Sequence, residues 1–288
     1  KVAEVAEEYE ASPYTDHKEM IEAESLDAAY VCVPPFAHGD IELDLARNGI
    51  PFCIEKPVNL DMNKAVEVAR AVDENDLVTS VGYQVRYAPH IDRAAEFLSQ
   101  HPASLVEGWF VGGIPPASWW VEKDKSGGQA VEQSTHIFDL ARVLCGEVKE
   151  VYAGGSTGAM TDVDNYDIED ATLALLKFES GAVGHICSAC VLNEAGAGHA
   201  GLRMDGRDFT VELSYTSLTL HTVDGTETRE RPSALQQGGQ RLDDGFLDAV
   251  LNGDPAAVRC DYRDGLRSAA VSIAVNQSME RHTPVDPA

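Results

Sequence analysis

The first part of the chain alternates between short apolar runs and amphipathic stretches. Strands are predicted at residues 12–15, 27–33, 50–54 and 77–82, and helices at residues 1–9, 16–24, 38–48 and 61–75. Strands that are apolar throughout and separated by helices are typical of βαβ units on a parallel sheet. With the right-handed crossover of such units, the pattern predicts a Rossmann-like α/β domain at residues 1–84.

Beyond residue 84 the pattern changes to successive strands with occasional helices. Strands are predicted at residues 104–112, 148–157, 170–179, 182–192, 202–206, 208–214 and 217–223, and helices at residues 89–100, about 129–145, 240–252 and 261–280. Turn residues at Ser180-Gly181 and Asp224-Gly225 separate neighbouring strands. We therefore predict that residues 85–288 form an α+β domain with an open, mostly antiparallel sheet.

The charge of the chain is strongly acidic. Asp and Glu number 48 against 22 Lys and Arg, for a formal net charge of −26. A lysine-poor, acidic surface is typical of proteins from the cytoplasm of halophiles, where high salt screens the repulsion between the acidic side chains. The alternative is an acidic protein of a mesophile. This charge argues against nucleic acid and anionic membranes as partners. With no apolar run near the roughly 20 residues of a membrane helix, a cytoplasmic protein is expected.

The six cysteines do not predict a metal site. Cys187 and Cys190 have the spacing of a metal or redox pair, but they fall in a predicted strand. Residues three apart in a strand point to opposite faces, so their sulfurs would diverge. We expect reduced cysteines and no bound metal.

Three residues could handle a proton in an alcohol oxidation. Lys56 follows a buried strand, and open α/β sheets bind ligands beyond the carboxyl ends of their strands. Glu132 and His136 are four residues apart and would share one helix face, with Asp139 placed to orient the imidazole. Histidine suits the base, and lysine can polarise the reacting oxygen. The alternatives are a surface lysine and a solvated helix face with a lone histidine.

The hydride released in such a reaction needs a cofactor, because no side chain accepts one. The sequence has a single G-x-G-x-x-G string, Gly196–Gly201, and it leads into a predicted strand. A dinucleotide fingerprint leads into a helix instead, so this string is not interpreted as a phosphate site. Tyr87 and Trp120 are candidates to stack on a sugar ring, with packing roles as the alternative.

Four motifs in order resemble the Gfo/Idh/MocA oxidoreductases, the family of glucose–fructose oxidoreductase and inositol dehydrogenase. They are Val33-Pro34-Pro35 with His38, Glu55-Lys56-Pro57, Gly82-Tyr83-Gln84 with Arg86, and Ser126-Gly127-Gly128 leading to His136-Ile137-Phe138-Asp139. The resemblance covers nearly the whole chain. The family's opening strand, glycine turn, first helix and second strand have no counterpart, so we expect either a fragment of a longer protein or the product of a gene that has lost its start.

The resemblance implies NAD or NADP as cofactor, a small sugar or polyol as substrate, and a homo-oligomer, either a dimer or a tetramer. Lys56 and His136 match the family's catalytic lysine and histidine, and Glu132 stands where many members have aspartate. The cofactor is expected to contact Val33, Pro34, His38, Glu55, Lys56 and Gln84, and the substrate Arg86, Tyr87, Trp120 and His136.

The function predicted from these observations is an NAD(P)-dependent dehydrogenase that acts on a hydroxyl group of a sugar, cyclitol or related polyol. A redox-neutral hydrolase or epimerase with bound NAD is one alternative. The other is a non-catalytic sugar-binding or assembly protein without its nucleotide half.

Overall fold

A three-stranded parallel sheet forms the centre of the N-terminal part. The computed structural model describes residues 2–192, 198–230 and 233–287. The elements here are α1 (Val2–Glu8), α2 (His17–Ala23), β1 (Ala29–Val31), α3 (Asp40–Arg47), β2 (Phe52–Ile54), α4 (Met62–Glu74) and β3 (Thr79–Val81). The sheet order is β1-β2-β3, and both pairs are parallel. The Rossmann-like topology is confirmed, but the strand predicted at residues 12–15 is wrong, because that segment is irregular.

The central strand β2 is buried along its whole length, as its apolar sequence predicts. Helices α3 and α4 contact each other and enclose a core with the sheet. Asp61 begins α4 by accepting a hydrogen bond from the Asn63 amide at 2.8 Å, a typical N-cap. The carboxyl ends of all three strands therefore open on one edge, where Glu55 and Lys56 follow β2.

The C-terminal part is built on an eight-stranded sheet. Its helices are α5 (Pro89–Gln100), α6 (Lys123–Ser126), α7 (Gln129–Glu132), α8 (Thr135–Cys145), α9 (Ala234–Asn252) and α10 (Tyr262–Arg281). Its strands are β4 (Leu105–Val111), β5 (Val148–Ser156), β6 (Ala171–Phe178), β7 (Val183–Ala189), β8 (His199–Gly206), β9 (Phe209–Ser214), β10 (Ser217–Thr222) and β11 (Gly225–Glu230). The order is β11-β10-β9-β8-β4-β7-β6-β5.

Among the described pairs of this eight-stranded sheet, only β4 and β7 run parallel, so the predicted mostly antiparallel sheet is confirmed. Strand β11 was not predicted, because its sequence Gly225–Glu230 is polar and nearly all exposed. Strand β8 begins at His199, inside the glycine string rejected as a phosphate site; Gly196 and Ala197 lie outside the described residues.

One face of the large sheet is covered and the other is open. Strand β6 alternates between buried and exposed positions, as a strand with one covered face does. Helices α8 and α10 pack on the buried side. On the open side Leu173, Leu175 and Val183 are about half exposed. Such a face suits protein contact, and the predicted oligomerisation stays a prediction.

The helix predicted to carry both Glu132 and His136 is wrong in detail. Two helices occupy the segment, α7 and α8, with a break at Gln133 and Ser134. The Ser134 amide donates to the Gln129 carbonyl five residues back, and the Ile137 amide donates to Ser134 only three residues back. Because this break interrupts the i to i−4 ladder, Glu132 and His136 do not share one helix face.

No helix of the described ranges combines the length and the apolar character needed to cross a membrane.

Candidate active site

Lys56 and Glu132 form a mostly buried ion pair between the two parts of the chain. The Lys56 ammonium donates to Glu132 Oε1 at 2.7 Å and to the Glu132 carbonyl at 2.6 Å. The two side chains are 13% and 14% exposed. Gly127 and Gly128, both at positive φ, turn the chain from α6 into α7 and so bring Glu132 towards the end of β2.

The other oxygen of the same carboxylate is held by an indole. Trp120 Nε1 donates to Glu132 Oε2 at 2.7 Å. Trp120 itself is 1% exposed. In this structure the Trp120 indole holds Glu132 in place, and stacking of Trp120 on substrate stays a prediction from the sequence.

His136 lies beside this pair in an aromatic setting. Its ring meets the rings of Tyr83 and Tyr215 nearly edge-on, at centroid distances of 5.9 and 6.4 Å. Nδ1 is buried and has no hydrogen-bond partner among the described residues. Burial, and after it the positive charge of Lys56, lower the pKa of His136 well below its ordinary value. The imidazole is thus neutral at neutral pH and free to accept a proton.

Asp139 does not orient His136, contrary to the sequence prediction. It pairs instead with Arg86, whose Nε donates to Asp139 Oδ2 at 3.0 Å and whose Nη2 donates to Oδ1. Arg86 also pairs with Asp264 of α10 and donates to the Arg259 carbonyl at 2.8 Å. Arg86 is only 4% exposed, and these contacts join distant parts of the chain. Its role in substrate binding stays a prediction from the sequence.

Tyr87 is likewise placed in the interior. It is 1% exposed, and its hydroxyl accepts a hydrogen bond from the Arg259 amide at 2.8 Å. The Arg259 guanidinium covers the ring at 5.4 Å from its centroid. Tyr87 therefore stabilises the packing of Arg259 against this part of the chain, and its stacking on a sugar stays a prediction from the sequence.

The predicted cofactor residues fall into two groups. Glu55 and Gln84 line a cavity of about 600 Å³ at the carboxyl ends of the three parallel strands, and α9 closes its other side. Val33 and Pro34 are half-buried and lie outside its lining. His38 is buried, with Nδ1 paired to Glu42, while Nε2 has no partner among the described residues. Of the six predicted cofactor residues, Glu55 and Gln84 are the two that line this cavity.

A second cavity, of about 520 Å³, opens between the end of β4, the start of β8 and the turn that joins β9 to β10. Its lining includes Phe110, Gln133 and Tyr215. Sequence reasoning did not assign Tyr215, and the available signal was faint: an aromatic residue between Ser214 and Thr216 in a predicted turn. It also missed the first turns of α9, which line the first cavity with Leu235 and Gly239, because the predicted helix began only at residue 240.

Two family profiles match the chain, and together they cover more than half of it. The profile described as an oxidoreductase family with an NAD-binding Rossmann fold matches residues 1–83. The profile of the GFO/IDH/MocA C-terminal domain matches residues 97–212. The chain belongs to the Gfo/Idh/MocA oxidoreductase family. The resemblance noted from the four motifs is confirmed, and with it the NAD-binding character of the family.

Named relatives of this Gfo/Idh/MocA protein include inositol dehydrogenases. The myo-inositol 2-dehydrogenase of Thermotoga maritima is 24% identical over 94% of this chain and 83% of its own length. The scyllo-inositol 2-dehydrogenase (NAD(+)) of Bacillus subtilis is 28% identical, and the matched region covers 62% of this chain and 52% of that relative. Levoglucosan dehydrogenase, solved in complex with NADH, shares the fold with a TM-score of 0.86 at 18% identity, covering 100% of this chain and 87% of its own.

Proposed function

We propose that this oxidoreductase oxidises a hydroxyl group of a small polyol or sugar, with NAD or NADP as the hydride acceptor. The observation that carries the proposal is the buried Lys56–Glu132 pair next to a neutral His136. A structural ion pair needs no imidazole beside it, whereas alcohol oxidation needs a base and a cation at one oxygen. The names of the relatives support polyols and sugars as the substrate class.

The residues at the strand ends fit a nicotinamide cofactor. The first cavity lies where open α/β sheets bind ligands, and Glu55 and Gln84 offer acceptor and donor groups in it next to Lys56. His38 Nε2 is a buried polar atom without a described partner, in the first turn after β1. Glu55, Gln84 and His38 are the residues we assign to hold the cofactor. When bound, the nicotinamide ring supplies the acceptor for the hydride.

Each residue of the site then has a distinct task. The neutral His136 accepts the proton of the substrate hydroxyl. The Lys56 ammonium donates a hydrogen bond to the same oxygen and stabilises the negative charge that develops there. Glu132 aims Lys56 through its own ion pair, and Trp120 fixes Glu132 from the far side. The carboxylate at position 132 thus positions the cation and does not exchange the proton.

The test combines cofactor binding with turnover, in concentrated KCl to suit the acidic surface. NADH and NADPH binding is followed by fluorescence titration, and oxidation of myo-inositol, scyllo-inositol, D-xylose and levoglucosan by reduced-cofactor absorbance. Lys56→Met and His136→Asn should each lower kcat by about 100-fold or more, while binding of NADH persists. Lys64, a partly exposed lysine paired with Glu67, gives the control Lys64→Met, which should turn over normally.

Three results separate this proposal from its alternatives. Normal turnover by Lys56→Met would show that the pair is structural. NADH binding without net oxidation of any polyol, but with epimerised or hydrolysed product, would favour redox-neutral chemistry. Polyol binding by a folded protein that binds neither NADH nor NADPH would favour a sugar-binding protein.

A further inference from the structure

Tyr215 is held by its turn in a defined position beside His136. The turn joins β9 to β10, and Ser214 and Ser217 share a hydroxyl–hydroxyl hydrogen bond of 2.7 Å across it. The Thr216 amide donates to Ser214 Oγ at 3.2 Å. The Tyr215 ring stands nearly edge-on to His136 and also meets Phe110, at a centroid distance of 6.2 Å. A fixed backbone and two aromatic neighbours leave the phenol little freedom.

The Tyr215 hydroxyl is buried and has no hydrogen-bond partner within residues 2–192, 198–230 and 233–287. Buried hydroxyl groups almost always have a partner, and leaving one without it is unfavourable. His136 Nδ1, on the facing ring, is in the same situation. Packing alone does not explain two such atoms on neighbouring rings, since phenylalanine would fill the space of Tyr215 equally well.

The surroundings of Tyr215 fit a small polar ligand. Tyr215 and Gln133 line the second cavity, whose volume of about 520 Å³ is within the range of small-molecule sites. Burial, then the charges of Asp139 and Glu132, raise the pKa of the Tyr215 phenol, so it stays protonated and can donate a hydrogen bond. Polyols carry hydroxyl groups on adjacent carbons, so a substrate with one oxygen at His136 presents others a few ångströms away.

We infer that Tyr215 is a specificity-determining residue whose hydroxyl binds a second oxygen of the polyol, beside the one that is oxidised. This inference rests on the proposed function, since the polyol must be held at His136. An analogue that lacks this oxygen would leave the buried Tyr215 hydroxyl without a partner, and the site would therefore discriminate against it. Tyr215 would therefore select substrates by their neighbouring hydroxyl, while Lys56 and His136 act on the reacting one.

The experiment compares Tyr215→Phe with Tyr152→Phe, a matched control on the open face of the large sheet, where Tyr152 is 45% exposed. KM and kcat are measured for the compound of the polyol panel that the wild type oxidises best. Loss of one hydrogen bond should raise KM for Tyr215→Phe about tenfold, with kcat changed much less. Tm should not fall, because the hydroxyl has no described internal partner. Tyr152→Phe should match the wild type in KM.

A second measurement tests selection directly, by comparing the polyol with its mono-deoxy analogues. For the analogue that lacks the oxygen bound by Tyr215, kcat/KM of the wild type should be about tenfold or more lower than for the parent compound. For Tyr215→Phe, kcat/KM should be almost equal for the two compounds. An unchanged KM in Tyr215→Phe, with the wild type active, overturns the role of Tyr215 and leaves the proposed function standing. A lower Tm with unchanged KM overturns it too, in favour of a structural role. A wild type that oxidises no polyol overturns both proposals.

Discussion

Substituting Arg86 by glutamine tests whether this residue stabilises the fold, as the structure indicates, or binds substrate. Arg86 is 4% exposed and pairs with Asp139 and Asp264. After Arg86→Gln, Asp264 keeps Arg142 at 2.6 Å. Within the part of the chain that the structure describes, Asp139 then keeps only the Ser268 hydroxyl as a side-chain hydrogen-bond partner, also at 2.6 Å. The substitution therefore leaves a buried carboxylate without its cation.

The size of the effect follows from the burial of Asp139, which is 1% exposed. Removing one partner of a buried ion pair typically lowers the free energy of unfolding by about 3–5 kcal/mol, because the remaining charge stays desolvated. Domains of this size lose about 2–4 °C in Tm for each kcal/mol, so a decrease of roughly 6–20 °C is expected. The loss is a large part of the roughly 5–15 kcal/mol that stabilises a typical protein.

Urea and thermal unfolding in concentrated KCl, followed by circular dichroism, measure this loss. Arg207→Gln is the matched control, because Arg207 is 96% exposed and its partner Asp208 is exposed as well. A surface pair of this kind contributes about 0–1 kcal/mol. If Arg86→Gln unfolds at the same urea concentration and temperature as Arg207→Gln, the buried-pair argument is wrong. A raised KM at unchanged Tm would support the substrate role predicted from the sequence.

Two further predictions concern the proton-handling residues. Trp120→Phe keeps an aromatic ring in the buried position but removes the indole donor to Glu132. A hydrogen bond to a charged group contributes about 1.5–3 kcal/mol. If all of this energy serves to position Lys56 through Glu132, kcat should fall roughly 10-fold to 100-fold. Stopped-flow kinetics measure kcat for Trp120→Phe and for the control Trp119→Phe, whose kcat should equal that of the wild type. Equal kcat values in the two variants would contradict the role of Trp120. Burial, and after it the charge of Lys56, lower the pKa of His136, so the ring should stay neutral as pH falls through 6.5, the usual histidine pKa. In Lys56→Met the second of these causes is removed, so the ring should protonate at a higher pH than in the wild type. An NMR titration of the His136 ring protons measures both, and identical midpoints would rule out coupling to Lys56.

Local sequence patterns identified the parallel strands of the N-terminal part, the helices between them and the family. The apolar run at residues 50–54 identifies a strand whatever it packs against, because burial on both faces requires apolar residues throughout. Asp61 predicts a helix start for the same local reason, as its side chain caps its own backbone. The motifs around Lys56 and His136 likewise identified candidates for chemistry without any contact being known. Each of these features is encoded within a few neighbouring residues.

Only the tertiary structure decided what the polar and aromatic candidates contact. Arg86, Tyr87 and Trp120 resembled substrate residues along the chain, yet packing places all three in the interior. Their partners are distant in sequence, 178 residues in the case of Arg86 and Asp264. Tyr215, by contrast, gave almost no signal as a turn residue and lies against His136. Residue pattern encodes which elements form and which face they bury, whereas the partner of a side chain depends on how those elements pack.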